Sequence, residues 1–487
     1  MKNRLSSLLI PILISCIFNF TFICYAQDSS ESNLSGEEDF KKLKDSYLEN
    51  NRYSEFVDYL KEKKDTNPAW VSYYIALARH QQLQYLEESQ EWQEYFDKGE
   101  EYRQELIKEV LNAINLTQEK DPLFVYAKSL LWEFHRDMQV EEEKDYLLGL
   151  LSTVRKYSDA GDIDISVIKY VADKLNNYGE RTNSLKIYNI YLGKLVSSLK
   201  EDRDSKLISL AKQLSYRDGQ ICNPFFAEEV FKKLKEISPD LTLDEETQYL
   251  RAYNLEKIKQ YSGSYPQYQV LVENYPRSAY CSEALFKMGL MCAYILGDIP
   301  TAVDYLNELI ERFPLSPNII AAFYQLGLIS QYQGDISKAQ EYYKRLLDNS
   351  AKLSCCEDYI RNVQDRLKEI EEKQPLEFNL KSFMDFSMKE AKGIAWSNNV
   401  DINVQAFRLV PQQVVRVSSV ALPEESGCFQ INLEYLWAGD LGNAHPGNND
   451  DSFSTHYTSP TTKVIMLVVI TPTGILGHSL VFLDVNY

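Results

Sequence analysis

Histidine is scarce in this 487-residue chain, with only His80, His135, His445, His456 and His478. No HExxH, GxSxG, phosphate-binding loop or CxxC pattern occurs, so the usual signatures of metal-dependent, nucleophilic and nucleotide chemistry are missing. Positive charge is also short. There are 52 Lys and Arg against 71 Asp and Glu, a formal net charge of −19, and no basic patch with interleaved aromatics offsets it. A field of that sign opposes nucleic acid and anionic headgroups, so no nucleic-acid partner is expected. Beyond the first 26 residues no stretch is apolar enough to span a bilayer. The six cysteines after that point, Cys222, Cys281, Cys292, Cys355, Cys356 and Cys428, make no disulfide framework. Cys281 and Cys292 fall on one predicted helix about 16 Å apart, too far to bond. Cys355 and Cys356 are adjacent, the wrong spacing for a zinc knuckle. Small buried hydrophobes are the expected role for most of these residues.

What is present describes a folded protein: 44% apolar, 12% aromatic and 25% charged residues, with 34 Tyr. The first residues carry Lys2 and Arg4, an apolar stretch from Leu5 to about Ile23, and a small-residue site at Cys24-Tyr25-Ala26. That pattern predicts a secretory signal over 1–26, cleaved after Ala26. Two alternatives stay open: a retained anchor, and a lipobox at Leu13-Ile14-Ser15-Cys16 that would tether the chain to a membrane through lipidated Cys16. A polar tether over 27–36 follows.

From 37 to 373 the chain reads almost wholly as helices with apolar residues at three- and four-residue spacing, as in "YSEFVDYLKEKK" (53–64) and "WVSYYIALARHQQLQYLEE" (70–88). Asn67-Pro68, Asp121-Pro122, Asn223-Pro224, Ser238-Pro239 and Phe313-Pro314 punctuate them. Helices of about 10–18 residues are expected, paired antiparallel. From 374 to 487 alternation and β-branched residues take over, in "VVRVSSVAL" (414–422), "CFQINLEYLWAGD" (428–440), "TTKVIMLVVITP" (461–472) and "GHSLVFLDVNY" (477–487). The fold class expected is mainly α, a helical-repeat solenoid followed by a smaller β-rich, sandwich-like domain of immunoglobulin type.

The segment 282–351 says nearly the same thing twice, with a period of 37–38 residues. Gly289 and Gly327 lie late in a first helix, where a neighbour must approach closely. Gly297 and Gly334 fall at the turn, where a left-handed backbone is cheap only without a Cβ. Ala302 and Ala339 open the inner face of a second helix, Leu306 and Tyr343 fill the space a turn later, and Pro314 closes the first unit. The first copy has one extra residue before its turn glycine. Small residues at contacts with bulky ones beside them make a surface that fits a copy of itself. Leu285, Met288-Gly289, Gly297, Ala302, Leu306 and Pro314 in one copy, and Phe323, Leu326-Gly327, Gly334, Ala339 and Tyr343 in the next, resemble the tetratricopeptide repeat (TPR). A weaker copy spans 249–276, and 178–192 and 51–60 resemble isolated second helices. "NYPRSAYCSEALFKMGLMCAYILGDIPTAVDYLNELIERFPLSP" also resembles the repeats of bacterial outer-membrane-assembly lipoproteins and of the Tol–Pal coordinator, although those families lack a β-rich C-terminal domain.

The resemblance implies a curved stack whose first helices line a concave groove. Its groove places are Phe286, Leu290 and Tyr294 in one copy and Tyr324, Leu328 and Tyr332 in the other, a lining suited to apolar anchors of a protein partner. Two readings of these six residues stay open: an exposed groove, or internal packing against a capping helix or the β-rich domain. The Lys and Asn of repeats that clamp a carboxylate are absent. One further constellation, His445, Asn448, Asp450, Asp451 and His456 in "LGNAHPGNNDDSFSTHY" (441–457), has oxygen and imidazole donors, but a polar loop between strands is the expected reading and no metal or cofactor is predicted. The acidic run at 86–105 reads as a solvated helix face. The function expected is a non-enzymatic scaffold that binds a protein partner in the bacterial envelope, in the periplasm or at the outer membrane. The alternatives are an envelope enzyme or carbohydrate-binding protein acting through the β domain, and a structural spacer.

Overall fold

Helical periodicity in the first three quarters of the chain and β-branched runs in the last quarter fold as two successive architectures. The computed structural model describes residues 37–216, 222–353, 355–390, 400–421, 433–472 and 474–486. The expected signal, the tether, Cys16 and Cys428 lie outside the described residues. Packing divides the chain between Lys194 and Leu195.

The first unit contains α1 (Glu37–Leu48), α2 (Tyr53–Glu62), α3 (Pro68–Glu88), α4 (Trp92–Asn115), α5 (Pro122–Asp137), α6 (Glu143–Asp159) and α7 (Ile165–Asn177); the division falls within α8 (Arg181–Ser198). The Asn-Pro and Asp-Pro pairs open helices. Pro68 and Pro122 take the first helical turn, where the missing N–H costs nothing, and Asp121 accepts from Leu123 N at 2.9 Å. Consecutive helices pack on one another, around a core that includes Phe40, Phe56, Tyr74, Leu106 and Leu131. α3 and α4 run to 21 and 24 residues, longer than the expected range. Within the acidic run, Glu105 is an exception to the solvated face: it pairs with Arg79 at 2.6 Å and Lys61 at 2.7 Å.

In the second unit α9 (Arg203–Leu214) and α10 (Pro224–Ile237) precede α11 (Glu245–Lys257), α12 (Tyr261–Asn274), α13 (Cys281–Met291), α14 (Ile299–Arg312), α15 (Asn318–Tyr332) and α16 (Ile336–Leu353). These last six alternate as first and second helices of three pairs. α17 (Glu357–Glu371) and α18 (Phe378–Met384) follow. The extra residue of the first strong copy is absorbed as a π-helical turn, Cys292–Leu296, directly before Gly297 at φ 66°. One added residue widens the last turn, and the chain still leaves the helix at a left-handed glycine. Gly334 makes the matching turn in the next copy with φ 82°.

The strands are β1 (Val400–Val404), β2 (Arg408–Leu409), β3 (Val415–Ala421), β4 (Glu434–Gly439), β5 (Ser452–Thr455), β6 (Thr462–Thr471) and β7 (Gly474–Val485). They form a three-stranded sheet, β1-β3-β5, and a four-stranded sheet, β2-β7-β6-β4. β2 runs parallel to β7, and the other pairs are antiparallel. Sandwich architecture is present, but this order is not the immunoglobulin one. β5 falls inside the segment expected to be a loop.

The four-stranded sheet is buried on both faces. Ile465, Leu467 and Val469 of β6 and Val481, Leu483 and Val485 of β7 face the sandwich interior with Trp437, Val415 and Val417. The alternate residues Val464, Met466, Val468, Leu480 and Phe482, with Leu436 and Ala438, join one core with α11, α13, α15 and α18. The expected boundary at 373/374 therefore separates two parts of one packed unit.

Candidate functional site

The repeat-packing residues sit where close approach needs them. A Cβ on Gly289 would lie 2.9 Å from Leu306 Cγ, and one on Gly327 would run into the Tyr343 ring. Ala302 and Ala339 are fully buried, and Pro314 lies in the turn after α14. Asp298 and Asp335 cap α14 and α16, accepting from Thr301 N at 3.2 Å and Lys338 N at 3.1 Å.

As an open groove, the expectation for the other six residues does not hold in this structure. Phe286, Leu290, Tyr294 and Leu328 are 0% exposed and Tyr324 is 2% exposed; Tyr332 packs half-buried against the same core, its hydroxyl donating to Asp385 Oδ1 at 2.9 Å. The physical reason is that the chain covers its own first helices. The Tyr294 ring meets Phe383 of α18, and the Tyr324 ring meets Tyr359 of α17. The four-stranded sheet completes the cover.

That cover is held by a cluster of buried charges which the sequence reading did not single out. Lys287 of α13 reaches Asp484 of β7 at 2.9 Å, Glu283 at 2.6 Å and Glu256 at 3.1 Å. Lys257 of α11 reaches Glu256 at 2.6 Å and Asp484 at 3.5 Å, and donates to the Phe482 carbonyl at 2.9 Å. Arg408 of β2 donates to Tyr249 Oη at 3.2 Å and lies over the Tyr253 ring. Tyr249 donates to Glu283 and Tyr268 to Glu256, both at 2.6 Å. Lys257, Lys287 and Arg408 thus balance Glu256, Glu283 and Asp484. Burial alone would lower Lys287, but Asp484, Glu256 and Glu283 raise it above the ordinary lysine range. Burial would raise Asp484; Lys287 and Lys257 instead hold it below the usual carboxylate range. Burial lowers Lys257, and burial with Asp484 nearby raises Glu283.

A second clasp lies at α17. Asp358 accepts from Thr458 Oγ1 at 2.7 Å, Thr458 N at 3.1 Å and Ser459 N at 3.3 Å, and pairs with Lys463 at 3.5 Å. Tyr359 donates to Asp440 Oδ2 at 3.0 Å. On the other flank Lys259 pairs with Asp401, and Tyr261 donates to the Leu480 carbonyl at 3.1 Å. These contacts fix a register between helices and sheet. Lys257, Lys287, Glu256 and Asp484 are buried, so the cluster suits holding rather than proton transfer to a substrate. One signal for it was present: Lys287 is the lone cation of a nearly uncharged helix, and Asp484 the lone anion in "SLVFLDV".

The His445–His456 segment is a turn followed by β5. Asp450 accepts from Gly447 N at 2.7 Å, and Asn443 Oδ1 accepts from His456 N at 3.0 Å. Among the described residues no group of three or more His, Cys, Asp or Glu is placed to hold a metal ion. A cavity of about 490 Å³ opens between α10, α11 and α12. Its Arg251 is paired with Glu228 at 2.8 Å, and its Gln248 donates to the Gln267 carbonyl at 2.8 Å.

The fold is that of a mainly helical repeat protein with a C-terminal β sandwich seated on its repeats. Two of those repeats match the family model described as tetratricopeptide repeat, over residues 283–316 and 321–352. No curated protein matches the chain. Among solved structures, MamA is 21% identical over 38% of this chain and 96% of its own, with a TM-score of 0.27. A Rap protein complexed with competence and sporulation factor is 16% identical over 62% and 85%, also at 0.27. A tetratricopeptide repeat protein from Parabacteroides merdae is 16% identical over 58% and 97%, at 0.21. Likenesses this loose say nothing of function. The matched repeats themselves indicate a protein–protein interaction scaffold.

Proposed function

We propose that this chain is an exported, non-enzymatic scaffold of the bacterial envelope whose second unit uses its repeats as a cradle for its own β sandwich. The observation that carries the cradle is the burial of Phe286, Leu290, Tyr294, Tyr324 and Leu328 beneath the chain's own elements. The first helices then serve as an internal seat, and outside proteins meet other faces. Asn403 and Arg416 of the three-stranded sheet are exposed on one of them. Support for export is the signal-like start with Lys2, Arg4 and the apolar stretch that follows. No helix of the described residues is long and apolar enough to cross a membrane; a lipidated Cys16 would supply a tether.

The cradle is tested with Phe286→Asp and Tyr324→Asp. Loss of protease resistance across 400–486 together with lost helicity is the expected result. Variants that keep a protected sheet and full helicity while losing a crosslinked partner would restore the open groove. Export is tested separately by the mass of the mature N-terminus: a start at Gln27, or a lipidated Cys16, is expected, and an intact Met1 in a cytoplasmic fraction overturns it.

A further inference from the structure

Cys355 and Cys356 are joined to each other in a disulfide. A bridge between neighbours closes a ring over one peptide bond, so it cannot staple distant segments, and the loop-entropy stabilisation of an ordinary disulfide does not apply. Its effect is local, and its place is specific. Cys356 is the residue before the first turn of α17, held at φ 76°, a left-handed conformation that a residue with a Cβ rarely adopts. The second and third residues after it are Asp358 and Tyr359. Asp358 holds Thr458, Ser459 and Lys463, and Tyr359 holds Asp440 while lying under the Lys463 ammonium at 4.2 Å.

We propose that the Cys355–Cys356 pair is a reversible thiol–disulfide site that sets the grip of α17 on the segment leading into β6. The reductant is a dithiol. Its thiolate attacks Cys355 Sγ, on the half-buried residue of the pair, and the S–S bond breaks with the electron pair leaving on Cys356 Sγ, which takes a proton from water. The second thiol of the reductant then attacks the mixed disulfide, releasing Cys355 as a thiol and leaving the reductant oxidised. With the ring open nothing covalent holds Cys356 in the left-handed region. The first turn of α17 shifts, and Asp358 and Tyr359 lose their fixed aim. Reoxidation by a disulfide-bearing exchange partner reverses each step.

The test uses the full chain. Trypsin releases residues 353–361 as one peptide holding both cysteines. After alkylation without reductant this peptide is expected unmodified and two hydrogens light; with dithiothreitol first, it carries two alkyl groups. Amide exchange over 458–463 is expected to quicken at least tenfold on reduction. Cys356→Gly is the discriminating variant, because glycine occupies a positive φ without a ring. It should exchange slowly with or without dithiothreitol. Double alkylation of the unreduced protein, exchange indifferent to dithiothreitol, or Cys356→Gly exchanging as fast as the reduced chain would each overturn the proposal.

Discussion

The two faces of the four-stranded sheet are made from the same strands and bury side chains to the same depth, yet they are built differently. Toward the sandwich the row Ile465, Leu467, Val469, Val481, Leu483 and Val485 is wholly apolar, and the buried charge that continues it, Lys463 at the start of β6, is paired with Asp358 of α17 rather than with a partner across the sandwich. Toward the helices the alternate row adds His478 and Asp484 to Val464, Met466, Val468, Leu480 and Phe482, and meets Lys257 and Lys287. An apolar face tolerates sliding, because any hydrophobe of suitable size fills the space. A face with balanced buried ions tolerates one register, since any other leaves a charge without its partner. The helix-facing side therefore states where the sheet must sit, while the sandwich side supplies burial.

The sharpest way to break this difference is Lys287→Met. It leaves Glu256, Glu283 and Asp484 short of a cation and is expected to cost about 3–5 kcal/mol, read from the denaturant midpoint. Leu467→Met on the opposite face should cost under about 1.5 kcal/mol. Equal losses would erase the distinction.

The pH profile sharpens it next. His478 packs against Phe383 and Phe386, and burial lowers its pKa to about 4. Its folded value lies below its unfolded value, so the unfolded chain takes the proton first. The contribution is complete above about pH 6.5 and is lost as pH falls toward 4, a total of roughly 3 kcal/mol. His478→Phe should flatten the stability curve across that interval; an unchanged slope would place the loss elsewhere.

Gly327→Ala tests packing between helices, away from the sheet. Overpacking against Tyr343, partly offset by better helix propensity, should leave a net loss of about 1–2 kcal/mol. Gly289→Ala should lose less, because the flexible Leu306 side chain can give way. Asp335→Ala, which removes a helix cap outside both sheet faces, should cost about 1 kcal/mol, read from the denaturant midpoint.

Much of this was legible in the residues. The glycine and alanine spacing of 289–339 marked the repeats because helix contacts demand small residues at fixed intervals, and even the extra residue before Gly297 was visible, though not its form as a π-helical turn. The cover over the first helices was harder to read. α13 and α15 are nearly uncharged all round, which signals burial on two sides, and "VIMLVVI" in β6 is a continuous apolar run, which signals a strand buried on both faces. Each feature alone fits an ordinary groove or an ordinary strand. Their meeting is a contact between elements almost 200 positions apart, and local periodicity does not encode such a partner. The pairing of Lys287 with Asp484 escaped for the same reason. β1, β2 and β5 were missed because short strands with polar outer rows resemble loops.

The sequence separation between Lys287 and Asp484, 197 residues, has a consequence for biosynthesis. Ribosomes deliver α13 and α15 well before β7, so a greasy helical surface waits uncovered until that strand emerges. Chains stopped short of Val485 should be sticky and short-lived even though every repeat is intact, and β7 acts as the quality seal on the helices made before it in its unit.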